Sequence, residues 1–291
     1  MWERECLVSI WKVLQRVNYS SWVETITSNA KSIVMILSRS QFEQFWNEGY
    51  VFLTDLLSAG EVSVLRSQIP AMLDSRNREL VLEKDGKTVR SIFDMHNFNE
   101  VYARFIRHPK LVKAASQLVN SHVHLFQLIL NFKEAYSGDI WPWHQDYPTY
   151  RTDDGMSSPR CVNILVFLDS VNQYNGPLMM VPGSHKEEYP VPELDKSTTG
   201  YAGRWLAPEK FENLVKRKGI IAPKGRAGSV IFAHANIIHG SGPNMSPWRR
   251  GMISMTLNSI DNVLGESSRP GYIVSRDCTP ITPLADDCLV R

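Results

Sequence analysis

His144 and Asp146, separated only by Gln145, are answered far downstream by His239 in Ile237-Ile238-His239-Gly240, and Arg250 lies a little beyond. Two imidazoles and one carboxylate can occupy one face of a metal ion and leave the opposite positions open. That suits Fe(II) enzymes, which admit a co-substrate together with dioxygen. On a β-strand, residues i and i+2 point to the same side, which would let His144 and Asp146 reach one ion while Gln145 turns away. The third ligand then has to come from a strand distant in sequence. His239 fits, because it follows the β-propense run 228–233 and precedes the turn-prone Gly240-Ser241-Gly242-Pro243. An H-x-D triplet is common by chance, and 8 histidines make a later one nearly inevitable. Arg250 adds specificity: its planar, permanently charged fork suits the distal carboxylate of a co-substrate.

These groups need a scaffold that brings separated strands together. Residues 124–132 are long and β-propense, and residues 161–168 alternate only weakly, as a strand covered on both faces does. Asn175-Gly176-Pro177 is a turn into a strand at 178–181, and runs at 230–232 and 252–257 complete the set. Strands of this number, with ligands on two of them, predict a mainly β fold with flanking α-helices around a double-stranded β-helix, a cupin-like jelly roll.

Ahead of the strands the pattern is helical. Ser40-x-x-Glu43 reads as a capping box for a helix carrying Phe42, Phe45 and Trp46 and ending at Gly49. Residues 50–53 form a short strand, Ser58-x-x-Glu61 caps a second helix with Val62, Leu65, Ile69 and Leu73, and a third follows Pro109. No internal repeat or low-complexity tract interrupts this order.

Other chemistry-bearing residues read as structural. His185, in Pro182-Gly183-Ser184-His185, is a turn residue behind the pocket wall, and His234 would point to the strand face opposite His239. Asp153-Asp154 precedes Gly155 and reads as a loop turn. Trp143, Tyr147 and Tyr150 flank the first two ligands, where aromatics either shape a substrate site or simply pack.

At 291 residues and 43% hydrophobic, the chain has enough apolar material for one elaborated domain. A formal charge of +2 implies no nucleic-acid partner, and Lys216-Arg217-Lys218 before Gly219 is a solvated helix end. Cys6, Cys161, Cys278 and Cys288 lack C-x-x-C spacing, which favours a reducing compartment. No apolar stretch reaches the eighteen or so residues of a membrane span. The expectation is a cytoplasmic monomer or homodimer acting on a small molecule.

Residues 1–36 read as an accessory extension ahead of a catalytic domain at 37–291. Trp2-Glu3-Arg4-Glu5 is not a basic leader, so a secretory signal is not expected, while import into an organelle stays open. Val8, Ile10, Trp11, Val13, Leu14 and Val17 have partial helical periodicity, and Met35 offers an alternative start.

From Phe42 to about Tyr272 the chain resembles the phytanoyl-CoA dioxygenase superfamily of Fe(II)/2-oxoglutarate oxygenases, and within it the ectoine hydroxylases. The likeness is carried by segments including Glu48-Gly49-Tyr50-Val51-Phe52-Leu53, Asn131-Phe132-Lys133, Trp143-His144-Gln145-Asp146, Asn175-Gly176-Pro177-Leu178 and His239-Gly240-Ser241. The resemblance implies that His144, Asp146 and His239 hold Fe(II), and that 2-oxoglutarate meets Arg250, helped by Ser241. Gln127 and Asn131 would be an amide pair lining the co-substrate and substrate pocket, and Asn163 stands where that family has a serine.

Ile129, Ala233, Ser254 and Tyr150 depart from the ectoine hydroxylases, which have an arginine, two aromatics and a tryptophan there. Ectoine is therefore not the expected substrate. The implied reaction consumes 2-oxoglutarate and O2, releases succinate and CO2, and hydroxylates a small polar, amino-acid-derived metabolite. Oxidative dealkylation with C–N cleavage is the alternative outcome, and a non-catalytic jelly-roll binding protein is the alternative class. Halogenating relatives lack the carboxylate that Asp146 supplies.

Overall fold

The computed structural model describes residues 36–74, 80–187 and 189–291; the expectations for residues 1–35 lie outside it. Two sheets face one another. The larger has seven strands in the order β1-β8-β6-β10-β4-β3-β2, and the smaller has three in the order β5-β9-β7. The strands are β1 (Tyr50–Leu53), β2 (Leu80–Leu82), β3 (Val89–Phe93), β4 (Val123–Lys133), β5 (Trp141–His144), β6 (Cys161–Phe167), β7 (Leu178–Met180), β8 (Val230–His234), β9 (His239–Ser241) and β10 (Arg250–Ser259). All their pairings are antiparallel. This is the expected jelly-roll core with flanking helices.

The weak alternation of β6 has a simple cause. Val162, Ile164 and Val166 pack outward with Leu111, Val112 and Ala115, while Leu165 and Phe167 pack inward with Leu178, Met180 and Ile231. Helices cover one face of the seven-stranded sheet and the small sheet covers the other, so both faces are apolar. The helix behind β6 is α5 (Pro109–Val119), opened by proline at its first turn and closed by Asn120 in the left-handed region at φ 49°.

Among the described residues four helices precede it: α1 (Arg39–Glu48), α2 (Ala59–Ser67), α3 (Ile69–Asp74) and α4 (Glu100–Phe105). The Ser58/Glu61 capping box opens α2 as expected. The box of α1 lies two residues earlier than its sequence suggested, with Ser38 as cap and Gln41 as its partner. Arg39 and Glu43 instead form an exposed i,i+4 pair. The front third is also less purely helical than its pattern implied, because β2 and β3 lie within it and extend the large sheet beside β4.

Two helices follow, α6 (Tyr147–Asp154) and α7 (Glu212–Lys218). Lys216, Arg217 and Lys218 form the last turn of α7 before Gly219, as expected. Among the described residues Cys161, Cys278 and Cys288 are free thiols, and no helix is long and apolar enough to cross a membrane.

Candidate metal centre and co-substrate pocket

The small sheet sets two of the candidate ligands side by side. In the β5–β9 register His144 lies directly across from His239, and their ring centroids are 4.1 Å apart. Asp146 reaches them by a different route from the one its spacing suggested. β5 ends at His144, the chain turns, and Asp146 is the residue that opens α6, with helical φ −81° and ψ −40°. The i,i+2 rule of a strand therefore does not position it. The turn is pinned because the backbone N–H groups of Asp146 and Tyr147 both donate to the Ala235 carbonyl at 3.0 Å. His239, for its part, starts β9 rather than ending β8, and Gly240 and Ser241 belong to that strand instead of a turn. The three side chains offer ligand atoms all within 4.8 Å of one another.

The protonation pattern fits a cation. His144 Nδ1 lies 2.7 Å from the Pro142 carbonyl and His239 Nδ1 lies 3.0 Å from the Ile237 carbonyl. A carbonyl oxygen only accepts, so both Nδ1 atoms carry the proton and both Nε2 atoms present lone pairs. Those lone pairs face the Asp146 carboxylate, His144 Nε2 at 3.5 Å from Oδ1 and His239 Nε2 at 3.6 Å from Oδ2. Burial, then the neighbouring His239, pushes the His144 imidazole down to about 4, so it is neutral at ordinary pH. Two neutral donors and an anion are what an Fe(II) or similar divalent site requires.

A cavity of about 400 Å³ opens from these ligands between the sheets. Gln127, Asn131, Asn163, Ser241 and Arg250 all line it. Arg250 is 1% exposed; its Nη2 donates to the Gly176 carbonyl at 3.0 Å, and its Nε has no partner. No carboxylate pairs with it among the described residues, whereas neighbouring Arg249 lies 3.4 Å from Asp169 and 4.0 Å from Glu134. Gly176 is required at this corner: it sits at φ +70°, and a Cβ there would come within 2.6 Å of the Lys133 side chain. Asn131 Oδ1 accepts from the Ser91 hydroxyl at 2.7 Å. Gln127 Nε2 is buried without a partner. Asn163 is on the wall, but its Nδ2 donates to Asp146 Oδ2 at 2.6 Å.

Several groups escaped the sequence reading. Lys133 lies directly across from Arg250 in the β4–β10 register and donates to the Asp139 carbonyl. Burial, then Arg250 and Arg90, pushes its amine down to about 6. Arg90 is paired with Glu83 at 2.7 Å and stacks 3.9 Å over Trp141. At the other end Asp153 and Asp154 are not loop residues but the last turn of α6. Asp153 holds Arg204 at 2.7 Å, and Asp154, fully buried, takes both Nε and Nη2 of Arg269. Arg204, Arg269, Tyr201 and Trp205 line the cavity. Trp205 packs edge-on to His144 at 5.5 Å, and its indole N–H is buried without a partner. Only glycine fits at 203, since a Cβ there would run into the Trp205 ring.

Of the flanking aromatics, Tyr150 lines the cavity, while Trp143 packs on Phe211 and Tyr147 sits in the cluster around Phe126. His185 donates through Nε2 to the Trp46 carbonyl at 3.1 Å, and His234 packs against it on the far side from the ligands. The reason for excluding His234 changes: a turn separates it from His239, so the two do not share a strand.

The family profile of phytanoyl-CoA dioxygenase (PhyH) matches residues 45–252. L-proline trans-4-hydroxylase of Streptomyces griseoviridis is 35% identical over 84% of this chain and 96% of its own length. The ectoine dioxygenase of Bordetella bronchiseptica is 34% identical over 82% of this chain and 83% of its own. Among solved structures, EctD from S. alaskensis in its apoform has a TM-score of 0.77 at 29% identity, covering 89% of this chain and 91% of that one. The same protein with 2-oxoglutarate and 5-hydroxyectoine has a TM-score of 0.74 at 28% identity, covering the same shares.

Proposed function

The chain belongs to the phytanoyl-CoA dioxygenase (PhyH) family and is an Fe(II)- and 2-oxoglutarate-dependent dioxygenase; from that premise we propose that it hydroxylates a small, amino-acid-derived zwitterion and that His144, Asp146 and His239 are its iron ligands. The observation that carries the assignment is the convergence of two imidazole Nε2 atoms and a carboxylate on the wall of a cavity that a fully buried Arg250 also lines. Bound Fe(II) supplies the centre at which 2-oxoglutarate and dioxygen are activated together. Per turnover, one substrate C–H bond, one O2 and one 2-oxoglutarate become an alcohol, succinate and CO2.

The chain's own part is binding, orientation and exclusion of water. Arg250 offers a charge-assisted contact to the distal carboxylate of 2-oxoglutarate, Lys133 stands directly across the strand pair from it, and Ser241 and Asn131 line the same cavity. The primary substrate then lies toward Gln127, Trp205, Tyr201 and Arg269. The partnerless buried donors Gln127 Nε2 and Trp205 Nε1 call for acceptor oxygens such as a carboxylate, while the aromatic faces suit an ammonium group. In the same reading residues 37–291 form the catalytic domain, residues 1–36 are an accessory extension, and the protein is a cytoplasmic monomer or homodimer without a nucleic-acid partner.

The test is substrate-dependent succinate release from protein loaded with Fe(II) and 2-oxoglutarate, over a panel of L-proline, related cyclic amino acids, N-methyl amino acids and ectoine, with mass analysis of the products. Release coupled to a product one oxygen heavier is expected for a cyclic amino acid. Release that persists unchanged in Asp146→Ala, or no release with any panel member, overturns the assignment.

A further inference from the structure

Asn163 is out of character with its strand. It is the one polar side chain in β6 apart from the Cys161 thiol and is 3% exposed, and an unsatisfied amide there would be costly. Both ends of its amide are engaged within the protein. Nδ2 donates to Asp146 Oδ2 at 2.6 Å, and Oδ1 accepts from the Thr256 hydroxyl at 2.8 Å, with the Tyr150 hydroxyl 3.5 Å away. Chemistry fixes the orientation of the amide: turned over, it would set one acceptor oxygen against another at the carboxylate. Thr256 lies directly across from Asn163 in the β10–β6 register, so the pair belongs to the sheet and not to a loop.

Asp146 has a competing use for its carboxylate. It occupies the N-cap of α6, where an aspartate ordinarily accepts from the N–H groups of the first helical turn. Its side chain makes no such bond, and the donor it does meet is Asn163. We propose that Asn163, held by Thr256, is a positioning residue for the metal: it draws Asp146 Oδ2 away from the helix end and fixes the carboxylate between the two imidazoles, with Oδ1 3.5 Å from His144 Nε2 and Oδ2 3.6 Å from His239 Nε2. A carboxylate tied at one oxygen is held in a single orientation, so the lone pairs it offers a metal are set before the ion arrives. The inference rests on His144, Asp146 and His239 being the ligands. It adds that ligand geometry is set from β6 and β10 on the opposite sheet.

Calorimetric titration of the metal-free protein with Co(II), read together with the Co(II) visible spectrum, tests this without turnover. Asp146→Ala should abolish tight binding. Asn163→Leu, close in volume and without a donor, should weaken Co(II) binding by about 10- to 100-fold and alter the spectrum, the range expected for loss of an outer-shell partner. Thr256→Val should weaken it about 3- to 10-fold, add nothing in the Asn163→Leu background, and be rescued by Thr256→Ser, because the threonine acts only through the amide.

Wild-type affinity in Asn163→Leu, alongside lost binding in Asp146→Ala, overturns the inference and leaves the ligand assignment standing. Undiminished binding in Asp146→Ala overturns the assignment itself. Thermal midpoints without metal separate folding from binding. If Asn163→Leu does not fold, equal affinities for Thr256→Val and Thr256→Ser overturn the proposal by themselves.

Discussion

The two ends of the cavity are built on opposite plans. The ligand end hangs on short elements, a four-residue β5, a three-residue β9 and the first residue before a helix, and its side chains keep 13–23% exposure. The anion end sits within eleven-residue β4 and ten-residue β10, with Arg90, Lys133 and Arg250 at most 1% exposed. The first end presents two imidazoles and a carboxylate; at the second, burial and mutual repulsion push the Lys133 amine and the Arg250 guanidinium down. The contrast separates two kinds of recognition. A metal needs convergent lone pairs and an approach from solvent, whereas a carboxylate is held best by pre-positioned charge where water is excluded and the local dielectric is low.

Mutations at the two ends should therefore fail differently. The largest effect is expected for Asp146→Ala, which removes the carboxylate of the proposed ligand set and should abolish succinate release at any 2-oxoglutarate concentration. Saturation that restores turnover would erase the distinction between the ends. Arg250→Ala should leave metal binding intact but cost about 2–3 kcal/mol in 2-oxoglutarate binding, on the order of 50-fold. An unchanged Kd for 2-oxoglutarate would move the anion site elsewhere. Trp205→Phe, which deletes one N–H, should raise KM for the best amino acid of the panel about 3- to 10-fold and spare KM for 2-oxoglutarate. Equal effects on both would place Trp205 at the wrong end.

Protons sharpen the comparison further. Lys133 has its folded pKa pushed down to about 6, far below that of an unfolded lysine. Between those two values the folded state binds fewer protons than the unfolded chain, so this residue makes stability rise with pH in that window. An arriving carboxylate favours the charged amine. Proton uptake should therefore accompany 2-oxoglutarate binding near pH 7, and affinity should fall a few-fold from about pH 7 to 8. Isothermal titration in two buffers of different ionisation heat measures this, and Lys133→Met should flatten the profile. The smallest effect is expected for deleting residues 1–34, which should leave 2-oxoglutarate binding and succinate release unchanged.

What could be read in the sequence divides along similar lines. His144, Asp146, His239 and Arg250 stood out because their residue types are chemically distinctive, and the long strands because period and β-propensity are local properties. The geometry at Asp146 was not legible, since a strand period cannot reveal that the chain turns after His144 to satisfy the Ala235 carbonyl. The pairs Asp153–Arg204 and Asp154–Arg269 join residues far apart in sequence, and each member alone looks like an ordinary solvated charge. Lys133 did leave a signal: a lysine closing the long β-propense stretch of β4 is costly if buried unless an anion or a carbonyl awaits it. β2 and β3 went unnoticed because the pairing of β3 with β4 and of β2 with β3, and not their own short sequences, makes them strands.

The Ala235 carbonyl, which accepts from Asp146 and Tyr147 at once, makes a natural clock hand. It sits in the turn that delivers His239, so the same peptide clasps the segments bearing all three candidate ligands. Loosening either segment frees those two amide hydrogens to trade with deuterated solvent, and tightening both slows the trade. Occupancy of the centre should thus be readable, second by second, as the isotope content of two neighbouring backbone positions.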